Sequence, residues 1–98
     1  MKDLFSLTNK KVLITGSAQG IGFLLATGLA EQGAEIIIND ITEDRAQHAA
    51  SQLRDAGYIA YACAFNVTDG QAVNSAIKHI EDSIGEIDVL INLSLIHI

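Results

Sequence analysis

A chain of 98 residues is at most one domain, and 49% apolar with 18% charged residues is the composition of a globular protein, not a disordered one. The net charge of −6 comes without any basic cluster, which argues against nucleic acid as a partner. The single cysteine, Cys63, excludes an internal disulfide; no apolar run nears the ~20 residues of a membrane span and Met1-Lys2-Asp3-Leu4 opens no secretory signal, so a cytoplasmic protein is expected.

Residues 11–15 read as a first strand, followed by the glycine-rich run Thr15-Gly16-Ser17-Ala18-Gln19-Gly20-Ile21-Gly22. That run opens a helix from near Gly20 to about Gly33, with Ile21, Leu24, Leu25, Gly28 and Leu29 at the spacing of one packed face. Residues 34–39 contain Ile36-Ile37-Ile38, the continuous β-branched run of a parallel strand covered on both faces. Thr42 then looks like an N-cap, with Glu43 and Asp44 in the first turn of a second helix that presents Ala46, Ala49, Ala50 and Leu53 and ends before Gly57. Residues 58–65 predict a third strand. Thr68 and Gln71 suggest a capping box for a third helix, with Val73, Ala76, Ile77, Ile80 and Ile84 as its apolar stripe and Gly85 as its end. Residues 87–91 predict a fourth strand. There is no internal repeat or linker. Strands alternating with helices across short loops imply an α/β fold, a Rossmann-type doubly wound parallel sheet, truncated after its fourth strand.

Glycines spaced G-x-x-x-G-x-G between a strand and a helix let the backbone turn and approach a pyrophosphate closely. The amides and positive dipole end of the helix suit the phosphates. Asp40, at the end of the second strand, lies roughly 20 residues further on, where a carboxylate accepts the hydroxyls of an adenosine ribose and repels a 2′-phosphate. Gln19 is neutral and no Lys or Arg follows Asp40 before Arg45, so NAD is favoured over NADP. The bland alternative for Asp40 is a solvated strand-end acid.

T-G-S-A-Q-G-I-G after a strand, N-D at the end of the second, N-V after the third and I-D-V-L-I-N at the fourth together resemble the short-chain dehydrogenase/reductase family. Within it, residues 3–29 are similar to the opening of the gluconate-oxidising subgroup, and gluconate/5-ketogluconate as substrate rests on that resemblance alone. The resemblance implies that Gly16, Gly20 and Gly22 shape a pyrophosphate loop, with contacts from Ser17, Gln19 and Ile21. It implies Asp40 at the ribose, and Asn66 and Val67 beside the adenine. The family more often has aspartate where Asn66 stands; the amide carbonyl is expected to take the adenine amino group instead. Asn92 matches the first residue of the family's N-N-A-G segment, after which Leu93-Ser94-Leu95 departs from it. Residues 1–92 are thus expected to be the N-terminal part of a dinucleotide-binding domain, and 93–98 an apolar tail without counterpart.

Family members transfer a hydride between a nicotinamide and an alcohol or ketone, using a serine and a Tyr-x-x-x-Lys pair. Here Ala62 stands four residues after Tyr58 and Phe65 four after Tyr61, so no catalytic residue is assigned. No metal site is assigned either: His48 and His79 read as solvated helix residues, His97 falls in the tail, and Cys63 reads as a small filler of a strand. Two readings follow. One is the cofactor-binding portion of a longer NAD(P)-dependent oxidoreductase, whose full-length relatives are expected to be homo-oligomers. The other is a stand-alone dinucleotide-binding or interaction module. In both, the fourth strand leaves an open edge on which self-association is expected.

Overall fold

The run Ile36-Ile37-Ile38 has no exposed member, because alternate side chains of one strand enter two different cores. A computed structural model describes residues 7–93. The elements are β1 (Lys11–Ile14), α1 (Gly20–Glu31), β2 (Glu35–Asp40), α2 (Glu43–Asp55), β3 (Ala60–Ala64), α3 (Gly70–Ser83) and β4 (Val89–Ile91). The strands form one parallel sheet in the order β3-β2-β1-β4. Val12, Ile14, Ile36, Ile38 and Ala60 pack under α1 and α2, where Ala46, Ala49, Ala50 and Leu53 complete the layer. Leu13 and Ile37 point the other way, toward Phe65 and to Ala76 and Ile80 of α3. The order of elements, the parallel sheet and the α2 and α3 faces therefore stand as the sequence predicts. Tail residues 94–98, His97 among them, lie outside the described residues.

Four local expectations change. In α1 the buried face is Gly22, Ala26 and Ala30, not the expected stripe: Leu25 and Leu29 pack only partly, while Ile21 is 79% and Leu24 72% exposed and Gly28 is exposed too. The reason is distance. Small residues four apart let the helix lie close on the sheet and on the loop beneath it, which leucines on that face would prevent. In α3 the cap is Asp69, whose Oδ1 accepts from the amides of Gln71 and Ala72 at 3.0 and 3.2 Å, while Thr68 is engaged elsewhere. Thr42 does sit at the N-cap of α2 but makes no capping bond, its hydroxyl being turned to Asp40. Tyr58 precedes β3, its amide still bonded to Leu53 O of α2 at 3.0 Å.

β4 enters beside β1 through a reciprocal clamp. Lys11 N donates to Asp88 Oδ2 at 2.8 Å and Asp88 N to Lys11 O at 2.9 Å. Its other edge pairs with no strand among the described residues, and Val89 and Leu90 are 38% and 50% exposed.

The reversed face of α1 is testable. Ala26→Leu is expected to cost about 1–3 kcal/mol by overpacking, whereas Leu24→Gln should stay within about 0.5 kcal/mol. Urea unfolding of the two variants separates these outcomes, and a larger loss for Leu24→Gln would return the packed face to the leucine stripe.

Candidate functional site

The carboxyl ends of all four parallel strands lie on one side of the sheet, and the order β2-β1-β4 reverses direction at β1. In a sheet of this kind, ligands occupy the crevice outside that switch point. The loops after β1, β2 and β3 meet there.

The loop after β1 is tied down by two buried polar residues. Ser17, fully buried, donates its hydroxyl to Ile14 O at 2.7 Å and its amide to Asn39 O at 2.8 Å. Asn39 N returns a bond to Ser17 Oγ at 3.1 Å. The Asn39 side chain, itself buried, accepts from Gly16 N at 3.0 Å. It donates through Nδ2 to the carbonyls of Cys63 at 3.1 Å, Phe65 at 3.2 Å and Asp40 at 3.3 Å. One amide thereby fastens the glycine loop to the ends of β2 and β3. Ser17 is placed differently from the expectation of a ligand contact, because its hydroxyl and amide are both spent inside the protein. In the sequence Asn39 figures only as the first letter of N-D, and nothing in that pair signals a role in bracing the glycine loop.

Gly16 and Gly20 hold φ of +62° and +64°, and a Cβ on either would point into open space above the loop. A Cβ on Gly22 would lie 2.3 Å from Gly16 O, so this glycine sets how closely α1 approaches the loop. α1 begins with no acidic residue in its first turn and no side-chain cap from Gln19. The helix therefore presents uncompensated amide dipoles toward the loop. α2 and α3 differ, with Glu43 and Asp44 in the first turn of one and the Asp69 cap on the other.

Two adjoining hollows share Gly16 and Leu93. The first, about 320 Å³, is lined by Thr15, Gly16, Asn39, Asp40, Ile41, Phe65, Asn66, Val67 and Thr68. The second, about 370 Å³, is lined by Gly16, Gln19, Ile21 and Gly22. Gly16, Asp40, Asn66 and Val67 are thus brought together, with Gln19, Ile21 and Gly22 next door. Asn92 does not line either hollow but a smaller cavity of about 110 Å³, which shares Thr15, Phe65 and Val67 with the first hollow. There its Oδ1 accepts the Thr15 hydroxyl at 3.1 Å and helps align β4 with β1. The exposed Ile41 lines the first hollow as an apolar residue; an isoleucine following a strand-end acid was the only signal for it.

Asp40 is 8% exposed. Burial pushes its pKa up, but the amide of Thr42, the Arg45 side chain, the Thr42 hydroxyl and the Arg45 charge together outweigh burial and hold it below the ordinary aspartate value. It stays ionised. The bonds are 3.0 Å from Thr42 N, 3.1 Å from Thr42 Oγ1 and 2.9 Å from Arg45 Nε, all on Oδ2. At Asn66 the outcome departs from expectation. Its Oδ1 accepts from Thr68 N at 2.9 Å and Thr68 Oγ1 at 2.7 Å, so the loop consumes the carbonyl, and the NH₂ group makes no bond among the described residues. Burial, and then the charge of Glu43, push the Cys63 thiol up, which suits a filler and not a nucleophile. His48 and His79 are exposed, and no group of three or more metal-ligating side chains exists among the described residues.

A glycine loop latched at the switch point, a helix amino end without acid, and an ionised strand-end aspartate define a dinucleotide-binding Rossmann fold. The sequence pattern of the short chain dehydrogenases matches residues 10–94, and the chain belongs to that family. It is 60% identical over 92 residues to a 5-keto-D-gluconate 5-reductase of Escherichia coli (strain K12), covering 94% of this chain and 36% of the relative. The fold is similar to that of a gluconate 5-dehydrogenase from Burkholderia cenocepacia J2315 solved with NADP and tartrate, with TM-score 0.88 and 45% identity over 91% of this chain and 35% of that one. It is similar also to a 7α-hydroxysteroid dehydrogenase complexed with NADH and 7-oxo glycochenodeoxycholic acid, with TM-score 0.85 and 30% identity over 92% of this chain and 35% of the other. The chain therefore spans about 36% of the length of the curated relatives it matches, and within these residues neither tyrosine heads a Tyr-x-x-x-Lys.

Asn39→Leu strands the Gly16 amide and the Cys63 and Phe65 carbonyls, and is expected to cost at least about 2 kcal/mol in urea unfolding. A loss below about 0.5 kcal/mol would mean the loop needs no such brace. Because the Asp40 pKa is lowered on folding, its contribution to stability is present above the ordinary aspartate value and is lost as pH falls from there through the lowered one. Acid unfolding of Asp40→Asn should lack that component; an acid limb identical to that of the parent chain would contradict it.

Proposed function

We propose that this chain binds a nicotinamide dinucleotide, NAD in preference to NADP, as the cofactor-binding N-terminal part, residues 1–92, of a short-chain oxidoreductase. The observation that carries the choice of NAD is Asp40, ionised at the edge of the first hollow with Oδ1 unbonded among the described residues. A carboxylate there accepts ribose hydroxyls and opposes a 2′-phosphate. The residues fit the rest of the ligand. The apolar walls of Ile41 and Val67 suit an adenine face, and the Asn66 NH₂ group suits a ring-nitrogen acceptor. The open space above Gly16 and Gly20, facing the α1 amides, suits the pyrophosphate.

The bound nicotinamide supplies a hydride acceptor or donor. This chain's own part is to hold the dinucleotide at the switch edge, while the serine and Tyr-x-x-x-Lys chemistry of the family is absent from its sequence. For the oxidoreductase to which it corresponds, we propose a gluconate/5-ketogluconate couple, supported by the similarity to a 5-keto-D-gluconate 5-reductase, and a cytoplasmic location.

Titrating the chain into NADH and following nicotinamide fluorescence, with calorimetry for NAD, NADP and ADP-ribose, tests this reading. Binding is expected for all three, tighter for NAD than for NADP, with a loss of at least about tenfold for NAD in Asp40→Ala, the size of one hydrogen bond to a charged group. No binding of NAD or ADP-ribose would overturn it. A second expectation concerns the open β4 edge with Val89 and Leu90 exposed. Copies should pair through it, and light scattering behind size exclusion should show dimers or larger species that dissociate in Leu90→Lys. A monodisperse monomer at every concentration would contradict this.

A further inference from the structure

We infer that Asn66 leaves the base of the dinucleotide loosely read, so that the first hollow takes a 6-oxopurine dinucleotide about as well as the 6-aminopurine one. This rests on the dinucleotide reading and extends it to the choice of base. Asn66, Val67 and Thr68 all line the hollow. The Asn66 carboxamide has one settled orientation. The backbone amide of Thr68 can only donate, so the atom it meets at 2.9 Å is the carbonyl oxygen Oδ1 and not the NH₂ group. The Thr68 hydroxyl donates to the same oxygen at 2.7 Å, which fills both of its lone pairs. What remains on this side chain is a pair of N–H donors without a bond among the described residues. The next backbone amide, Val67 N, is a further donor, and it makes no bond there either.

An aspartate at position 66 would hold the same two bonds with one oxygen and keep its second oxygen as an acceptor. An acceptor followed by the Val67 donor complements a 6-aminopurine, whose edge offers an amino donor and the ring acceptor N1. It opposes a 6-oxopurine, whose edge offers a carbonyl acceptor and N1–H. With asparagine, Asn66 Nδ2 and Val67 N supply donors only. Each base then meets a partner at one of the two positions and a like donor at the other, so neither is preferred. The other carboxamide and the carboxylate of the lining do not restore the lost acceptor: Asn39 Oδ1 is taken by Gly16 N at 3.0 Å, and Asp40 serves the ribose in the proposed binding. The apolar lining of Ile41, Phe65 and Val67 holds a purine face without regard to its substituent at C6.

Calorimetric Kd values for NAD and for nicotinamide hypoxanthine dinucleotide, which differ only at purine C6 and N1, test the assignment on the chain and on Asn66→Asp. On the parent chain the ratio of the hypoxanthine Kd to the NAD Kd is expected within about threefold of one, no more than a weak neutral hydrogen bond. Asn66→Asp keeps an oxygen for the two Thr68 bonds and regains the acceptor. It is expected to raise the ratio at least about tenfold, the size of a hydrogen bond to a charged group. A parent chain that prefers NAD by about tenfold or more, or an Asn66→Asp ratio within about twofold of the parent's, overturns the inference while leaving dinucleotide binding intact. A parent chain that binds neither dinucleotide overturns the dinucleotide reading and this inference with it. Because the readout is a ratio of two ligands on one variant, a purely structural loss at Asn66 cancels.

Discussion

Everything at the ligand edge depends on one buried carboxamide. Asn39 accepts from the Gly16 amide and donates to the Cys63 and Phe65 carbonyls, while Ser17 closes the ring between Ile14 O and the Asn39 backbone. A loop of glycines has no side chains with which to hold itself. Left alone, the positive-φ turn at Gly16 would be one of many conformations, and a ligand would have to order it. Here the ordering is already present. The buried polar groups that provide it are fully paired, so the low local dielectric strengthens the network.

The same economy of space explains the helix above. Gly22, Ala26 and Ala30 are the buried residues of α1, and Gly22 lies against Gly16 O with no room for a methyl group. Close approach of the helix brings its amino end over the loop, and the lack of acid in its first turn keeps that end positive. Burial layering, loop shape and local field are thus consequences of a few small residues. On the other side of the loop, Asp40 is kept ionised by Thr42 and Arg45 against the cost of its burial. The two halves of the edge therefore carry opposite polarity, suited to phosphates over α1 and to ribose hydroxyls beside β2.

What was legible in the sequence is what depends on pattern. The Ile36-Ile37-Ile38 run, the stripes of α2 and α3 and the position of Asp40 at the end of β2 all follow from periodicity and spacing, and they appear where expected. What was not legible depends on orientation. α1 is apolar nearly all round, so periodicity could not tell its leucine side from its glycine–alanine side, and close packing chose the smaller. At α3 two neighbouring residues, Thr68 and Asp69, are both capable caps; Thr68 is drawn to Asn66, so Asp69 takes the helix. That same bond occupies the Asn66 carbonyl. Asn39 and Arg45 act through contacts across 5 to 26 positions of sequence, which no local motif announces.

The central claim is that the glycine loop is held in shape before any ligand arrives. Amide hydrogen exchange of Gly16 and Ser17, resolved by NMR in the ligand-free chain, measures it directly. The account predicts protection comparable to that of Ile37 and Ile38 in the buried strand, since both loop amides donate to Asn39. Exchange of Gly16 and Ser17 at the rate of unstructured amides, with Ile37 and Ile38 still protected, would show a loop that is not latched and would contradict it.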